Sequence, residues 1–295
     1  MTLPTLSTAP SQHERLIAYY EQAGPDFAEW SAGFNMHFGY FRSGLNPFRR
    51  EAMLDEMNRQ VLARLELRSD GDDLIVDLGC GVGATVRYAA ALFERKRVLG
   101  LTVVPWQVDT GNELNLRAGI FPRAALELQD YTRTGLKPAS VDGAYAIESA
   151  CHAQGPDKAP FVSEAARILR PGAWLVVADG FLKKPLESLG GLTRRLHDLL
   201  CRSFVLPQLA ERDRFVEALA ANGFDEIRIE DVSMRVAPSA LHAPFAVPWF
   251  MLKKKLRHEA LGEQRLNNLK GSLVSPALGA NLLACGYFLI SARKK

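Results

Sequence analysis

Between Leu74 and Thr85 the chain reads LIVDLGCGVGAT. A short apolar run, Leu74–Leu78, holds one carboxylate, Asp77. Gly79, Gly81 and Gly83 then follow at alternate positions before a helical pattern opens at Ala84. Glycines without Cβ let the backbone turn tightly and let a ligand come close to the main chain. The helix that follows offers free N–H groups and the positive end of its dipole. A buried strand turning on glycines into a helix is the ligand junction of an open α/β sheet, which binds beyond the carboxyl ends of its strands.

The rest of the chain alternates in the same way. Strands are expected at 97–103, 125–128, 143–147, 173–178, 226–232 and 285–292, and helices at 84–93, 105–118, 160–169 and 212–222. Gly223 closes the last of these helices at C′, and Pro171-Gly172 is the entry turn of the fifth strand. Strands separated by helices mean βαβ units. The fold class is therefore α/β, a doubly wound, mostly parallel seven-stranded sheet.

Three stretches stand outside the alternation. Residues 1–10 read as a loose arm. Residues 11–67 read as an amino-terminal helical cover: Ser11 and Glu14 have capping-box spacing, Gly24-Pro25 breaks the first helix, and Met53, Leu54, Met57, Val61, Leu62 and Leu65 mark a second. A turn at Arg68–Asp73 follows. Residues 68–295 form the main domain, and its segments 184–210 and 233–281, the latter before the last strand, are read as a helical lid.

Charge helps mainly by exclusion. Lys plus Arg (36) minus Asp plus Glu (33) leaves +3, which gives no whole-chain attraction to nucleic acid. Cys80, Cys151, Cys201 and Cys285 are scattered, with no metal-binding spacing, and are expected as reduced thiols. The start MTLPTLSTAP lacks the features of a signal peptide, and no apolar window reaches bilayer length, so the cytoplasm is the expected location.

Two features decide between ligands. Gly79-x-Gly81-x-x-Ala84 also fits the loose dinucleotide pattern, yet Asp77 is badly placed for a pyrophosphate and well placed for a cation. The second strand, Gly100-Leu-Thr102, lacks the acid that would take a ribose in a dinucleotide site. A nicotinamide-dependent oxidoreductase is thereby the distant alternative, and a non-catalytic binder on the same scaffold is a further rival.

IVDLGCGVGAT resembles motif I of the class I S-adenosylmethionine-dependent methyltransferases, and GLTVVPWQ is similar to the second-strand segment of their sterol, tocopherol and cyclopropane fatty acid group. Gln129-Asp130-Tyr131 resembles the segment after the third strand, Ala144–Ala153 the sterol methyltransferase signature, and Ile168–Gly172 the usual turn before the fifth strand. The resemblance implies a Rossmann-like fold and S-adenosylmethionine as cofactor. It implies cofactor contacts from Tyr20, Asp77, Gly79, Gly81, Gly83, Thr102, Gln107, Asp130 and Tyr131, with Asp130 accepting from the adenine amino group. Asp130 as a loop cap is the competing reading.

Methyl transfer from a sulfonium asks the protein chiefly to align the partners and exclude water. A base is needed only where the acceptor loses a proton. Glu148 and His152, four residues apart past the fourth strand, are the catalytic candidates. Glu148 would stabilise and deprotonate the carbocation of a methylated alkene, or it is a helix-terminal carboxylate of structural value only. His37, Tyr145, Trp249 and Phe250 are expected in the substrate pocket. The first expectation is C-methylation of a sterol, terpenoid or prenyl acceptor; the alternative is an oxygen, a nitrogen or an aromatic carbon of a natural product. The run FAVPWFMLKKK (245–255) admits transient contact with a membrane surface, the solvated-face reading being the stronger, and homo-oligomerisation stays open.

Overall fold

The computed structural model describes residues 10–67 and 71–295; the expected arm, up to residue 9, and residues 68–70 of the expected turn lie outside the described residues. The strands are β1 (Leu74–Leu78), β2 (Arg97–Thr102), β3 (Ala124–Leu128), β4 (Val141–Ile147), β5 (Leu169–Leu182), β6 (Ala210–Glu211), β7 (Phe224–Asp231) and β8 (Cys285–Lys294). Seven of them lie in the order β3-β2-β1-β4-β5-β8-β7. β1 to β5 are parallel, and β8 runs antiparallel to both β5 and β7. From β1 the chain first winds outward through β2 and β3, then crosses to β4 on the other side. The crevice beyond β1 and β4 is therefore the topological switch point, where open sheets bind ligands.

Among the described residues, one strand exceeds the expected seven. β5 continues past Ala178 because Phe181 and Leu182 are both buried, and its extension pairs with the two-residue β6. β6 falls at the end of the segment read as the first lid stretch.

Strand alternation splits the core in two. Val76, Leu78, Ala144 and Ala146 join Phe161, Ile168 and Phe215 on one face. Ile75, Tyr145 and Ile147 join Met57, Val61, Val86 and Ala89 on the other. The second face is roofed by α3 (Arg50–Ala63), α4 (Ala84–Leu92) and α5 (Pro105–Arg117), so part of the amino-terminal cover belongs to the core, while α6 (Ala159–Ile168) and α8 (Arg212–Ala221) cover the first.

Above the carboxyl ends sit α1 (Gln12–Ala23), α2 (Phe27–Trp30), α7 (Gly191–Phe204), α9 (Ser233–Ala240), α10 (Ala243–Leu256) and α11 (Glu263–Gly279). The capping box forms: Ser11 Oγ accepts from Glu14 N at 3.2 Å, and Glu14 Oε2 accepts from Ser11 N at 2.6 Å. The cover and the inserted segment are locked together. Arg265 of α11 grips Asp26 through two bonds of 2.8 and 2.7 Å, and the Tyr19 hydroxyl donates to Asn268 Oδ1 at 2.8 Å. Of the basic run, Lys254 is buried between Glu29 and Glu259, and Lys253 lies 3.6 Å from Glu29. That pairing consumes charge the run would otherwise present to an anionic surface. Among the described residues no helix is long and apolar enough to cross a membrane.

Candidate active site

Gly79, Gly81 and Gly83 all adopt positive φ, +108°, +53° and +76°. At Gly79 the need is strict, since a Cβ there would lie 2.3 Å from the Ser149 Cβ. The first two glycines line a narrow pocket of about 80 Å³ together with Asp77, Thr102, Gln107 and Tyr131, and Leu16, Tyr20 and Met36 close it from the cover. Gly83 only enters α4 and faces Leu126. The Thr102 hydroxyl donates to Gln107 Oε1 at 2.6 Å, and the Tyr131 hydroxyl donates to the Ser149 carbonyl at 2.9 Å. Asp77 is buried, and that burial pushes its carboxyl up to about 8, only partly offset by the Tyr145 hydroxyl. A buried carboxylate facing a glycine cradle suits a ligand bearing an ammonium, and the residues present therefore fit S-adenosylmethionine.

Asp130 lies outside this wall. Its Oδ1 accepts from Thr132 N at 2.7 Å and from the Thr132 hydroxyl at 2.8 Å, while Oδ2 stands 3.5 Å from His13. These are the short-range bonds by which an Asp caps a turn two residues ahead.

Beyond the sheet ends lies a larger cavity of about 460 Å³, walled mostly by apolar side chains of α1, α7, α9 and α11. Five residues line both spaces: Tyr20, Met36, His37, Glu148 and His152. Glu148 follows β4 in a left-handed conformation, φ +50°, and its carboxyl lies in that shared wall. Its Oε1 accepts from Phe38 N at 2.7 Å and from the Tyr287 hydroxyl at 2.9 Å. Burial pushes this carboxyl up to about 8. His152 stands in a short 3-10 turn, with Nε2 3.4 Å from the Tyr20 hydroxyl. Burial first, then the nearby Lys158 ammonium, hold its imidazole down to about 4, so it is neutral at physiological pH. His37 is tied by Nδ1 to the Phe38 carbonyl (2.8 Å) and by Nε2 to Asn58 Oδ1 (3.0 Å), which makes it a fixed wall.

The other expected pocket residues lie elsewhere. Tyr145 is fully buried in the core beneath α3 and α4, because strand alternation turns it away from the cavity. Trp249 is 60% exposed on α10. Phe250 packs beside it into a satellite cluster with Val247 and Leu269, stacked on Trp30 at 5.2 Å.

Four residues of the site escaped the sequence reading. Asp179 lines the cavity floor, accepts from Cys151 N at 2.9 Å and is pushed up to about 6 by burial; an acid following a predicted strand was a usable signal. Tyr287 holds Glu148 from β8, and alternation along that strand carried no hint of the partner. Lys158, fully buried, donates to the carbonyls of Cys151 (3.1 Å), Ala153 and Gln208 (2.8 Å each), fixing the turn that bears His152. Arg50 also lines the cavity, and in sequence it was one more charged residue in a helix pattern.

The methyltransferase-domain family matches residues 76–177. An O-methyltransferase of Pyrenophora dematioidea is 30% identical over 222 residues, covering 75% of this chain and 79% of that one. The chloroplastic tocopherol O-methyltransferase of Arabidopsis thaliana is 28% identical over 210 residues, covering 69% of this chain but only 57% of its own length. The chain thus spans under two thirds of that relative. Among solved structures, the mycolic acid cyclopropane synthase CmaA1, complexed with S-adenosylhomocysteine and CTAB, superposes with a TM-score of 0.81 over 97% of this chain and 99% of its own, at 18% identity. With the glycine cradle, the buried acid and the strand order, these likenesses place the chain in the class I S-adenosylmethionine-dependent methyltransferases.

Proposed function

We propose that this protein transfers a methyl group to a hydrophobic small molecule held in the 460 Å³ cavity, and that the first acceptor class is a sterol, terpenoid or prenyl chain methylated at carbon. One observation carries the reading: the cofactor pocket and the apolar cavity share a wall, and that wall contains Glu148. When bound, S-adenosylmethionine supplies a methyl on a positively charged sulfur, open to direct displacement. Asp77 takes the ligand's ammonium, an interaction strengthened by burial. The apolar lid residues exclude water from the junction. Glu148 keeps Oε1 fixed by Phe38 and Tyr287, while Oε2 makes no hydrogen bond with a described residue. In the carboxylate form, which a nearby cationic sulfonium favours, that free oxygen faces the task of stabilising positive charge on an alkene carbon and then accepting a proton from the carbocation.

A second reading rests on His152. A neutral imidazole in the same wall, 3.4 Å from the Tyr20 hydroxyl, is fitted to take a proton from an acceptor hydroxyl. Both sequence relatives above are, by name, O-methyltransferases. Methyl-labelled cofactor, offered with separate pools of sterols and prenyl lipids, phenolics, and amines, separates the two. Label on a new carbon in the lipid pool supports the Glu148 mechanism. Label on oxygen moves the base role to His152. Absence of S-adenosylhomocysteine binding by the purified protein would end both readings.

A further inference from the structure

Among the residues that line the acceptor cavity, Arg50 is the one lysine or arginine. It opens α3, half-buried, and its guanidinium makes no hydrogen bond or ion pair with any described residue; its buried Nε is without a partner. The hydrogen bonds of its acidic neighbours go to other groups. The Glu51 carboxylate accepts from Ser31 Oγ at 3.0 Å, Ala32 N at 3.1 Å and Gly33 N at 3.4 Å. Glu148 Oε1 holds Phe38 and Tyr287, and Asp179 holds Cys151 N and Gly180 N. What remains for Arg50 is the Trp30 ring, 5.9 Å from its guanidinium carbon. Elsewhere the same side chain finds a matched carboxylate, as Arg265 does on Asp26 and Arg64 on Glu230.

Glu51 and Glu148 act on Arg50 through space, but a half-buried guanidinium with no hydrogen-bonded partner among the described residues is costly to the protein, and a wall of apolar side chains strengthens its bond to whatever anion reaches it. The guanidinium fork is shaped for two oxygens of one planar or tetrahedral anion. Its charge is felt by both His37 and Glu148, which places it at the cofactor-facing end of the cavity.

We propose that Arg50 selects acceptors carrying an oxyanion, a carboxylate or a phosphate, close to the carbon that receives the methyl. The proposal rests on the reading of the 460 Å³ space as the acceptor cavity. Such an acceptor has an apolar skeleton along α7, α9 and α11 and a charged end beside the shared wall. It also implies where substrates come from: the preceding reaction must leave an acid or a phosphate ester on an apolar chain.

Three isoprenoids of equal chain length test this without knowledge of the natural acceptor: farnesoic acid, farnesyl phosphate and farnesol. Their affinities are measured by calorimetry on the 295-residue chain saturated with S-adenosylhomocysteine near neutral pH, for wild type, Arg50→Gln and Arg50→Lys. Wild type is expected to bind at least one of the two anions about tenfold or more tighter than farnesol, the size of one charge-assisted hydrogen bond. Which anion wins names the source of the oxyanion. In Arg50→Gln the preference disappears while farnesol and S-adenosylhomocysteine affinities hold; in Arg50→Lys part of it survives. Equal affinities for all three in wild type, or a preference that persists in Arg50→Gln, overturn the proposal. S-adenosylhomocysteine binding with none of the three probes bound overturns the cavity assignment and Arg50's role with it, whereas loss of S-adenosylhomocysteine binding by wild type strikes the methyltransferase reading itself. Farnesylamine serves if Arg50→Gln does not fold: on wild type it must bind more weakly than farnesol, and tighter binding contradicts the proposal.

Discussion

The two halves of the site are built by different means. The proposed cofactor pocket is made at strand ends: Asp77 near the end of β1 and Thr102 at the end of β2 are held in the parallel ladder, and Tyr131, three residues past β3, is held by its bond to the Ser149 carbonyl. The proposed acceptor cavity is walled by helices, α1 and α3 from the amino-terminal part of the chain and α7, α9 and α11 from its later part, held to each other by side-chain pairs such as Asp26–Arg265. A ladder repeats, so its outcome is set locally. Helix-to-helix pairs hundreds of residues apart follow no period. A scaffold of this kind keeps one cofactor while its acceptor changes with the inserted helices.

The largest expected effect falls on the wall between the halves. Glu148→Gln should lower methyl transfer to a carbon acceptor by about 10²- to 10⁴-fold, the range of a lost acid–base group. S-adenosylhomocysteine affinity should stay within about twofold. A parallel loss of binding would mean that Glu148 belongs to the cofactor half alone. Asp77→Asn should act on the other side of the divide, weakening S-adenosylhomocysteine about 10- to 100-fold through the lost charge-assisted contact. Its melting temperature should hold or rise, because the variant removes a buried acid without a cationic partner.

Proton linkage sharpens the same contrast. Asp77 and Glu148 titrate near 8 in the folded protein against ordinary values of 3.8 and 4.5. Between those limits the folded state holds the extra protons, so ligand-free stability falls as pH rises toward 8. His37 and His152, both lowered, oppose this only below about pH 6.5. From pH 6.5 to 8 the melting temperature should therefore fall, and Asp77→Asn should flatten part of the slope. S-adenosylhomocysteine affinity should rise over the same interval, by at most about tenfold per pH unit, since binding an ammonium requires the Asp77 carboxylate. A pH-independent affinity would remove Asp77 from that role.

Smaller effects test the cover. Ser11→Ala breaks the capping box and should cost about 1 kcal/mol, read as a melting shift of a few degrees. It should also weaken S-adenosylhomocysteine slightly, because α1 carries Leu16 and Tyr20 over the pocket. Trp249→Ala should change neither cofactor affinity nor methyl transfer, as its side chain lies outside both cavities. A marked loss of transfer there would mean that α10 swings inward when the acceptor binds.

The same division explains what could be read in advance. The Leu74–Thr85 junction was legible because strand, turn and helix each impose a local pattern, and Asp77 and the glycines stand where that pattern puts them. Strand positions were also legible, apart from the extension of β5 and the short β6 beside it. Glu148 was found as a residue after a strand, but its grip by Phe38 and Tyr287 joins residues 110 and 139 positions away. Tyr145 and Trp249 were misplaced for a related reason. An aromatic residue announces a contact without saying which side of its element carries it. Arg50 gave no sign, because an unpaired arginine is defined by partners that are missing.

A crystal structure with S-adenosylhomocysteine gives the most direct test of the shared wall. The amino group should lie at Asp77 and the Gly79–Gly81 turn, with the sulfur against Tyr20, Glu148 and His152, open to the 460 Å³ cavity. A sulfur turned away from that wall, or a cofactor seated in the larger cavity, would contradict the division of the site described above.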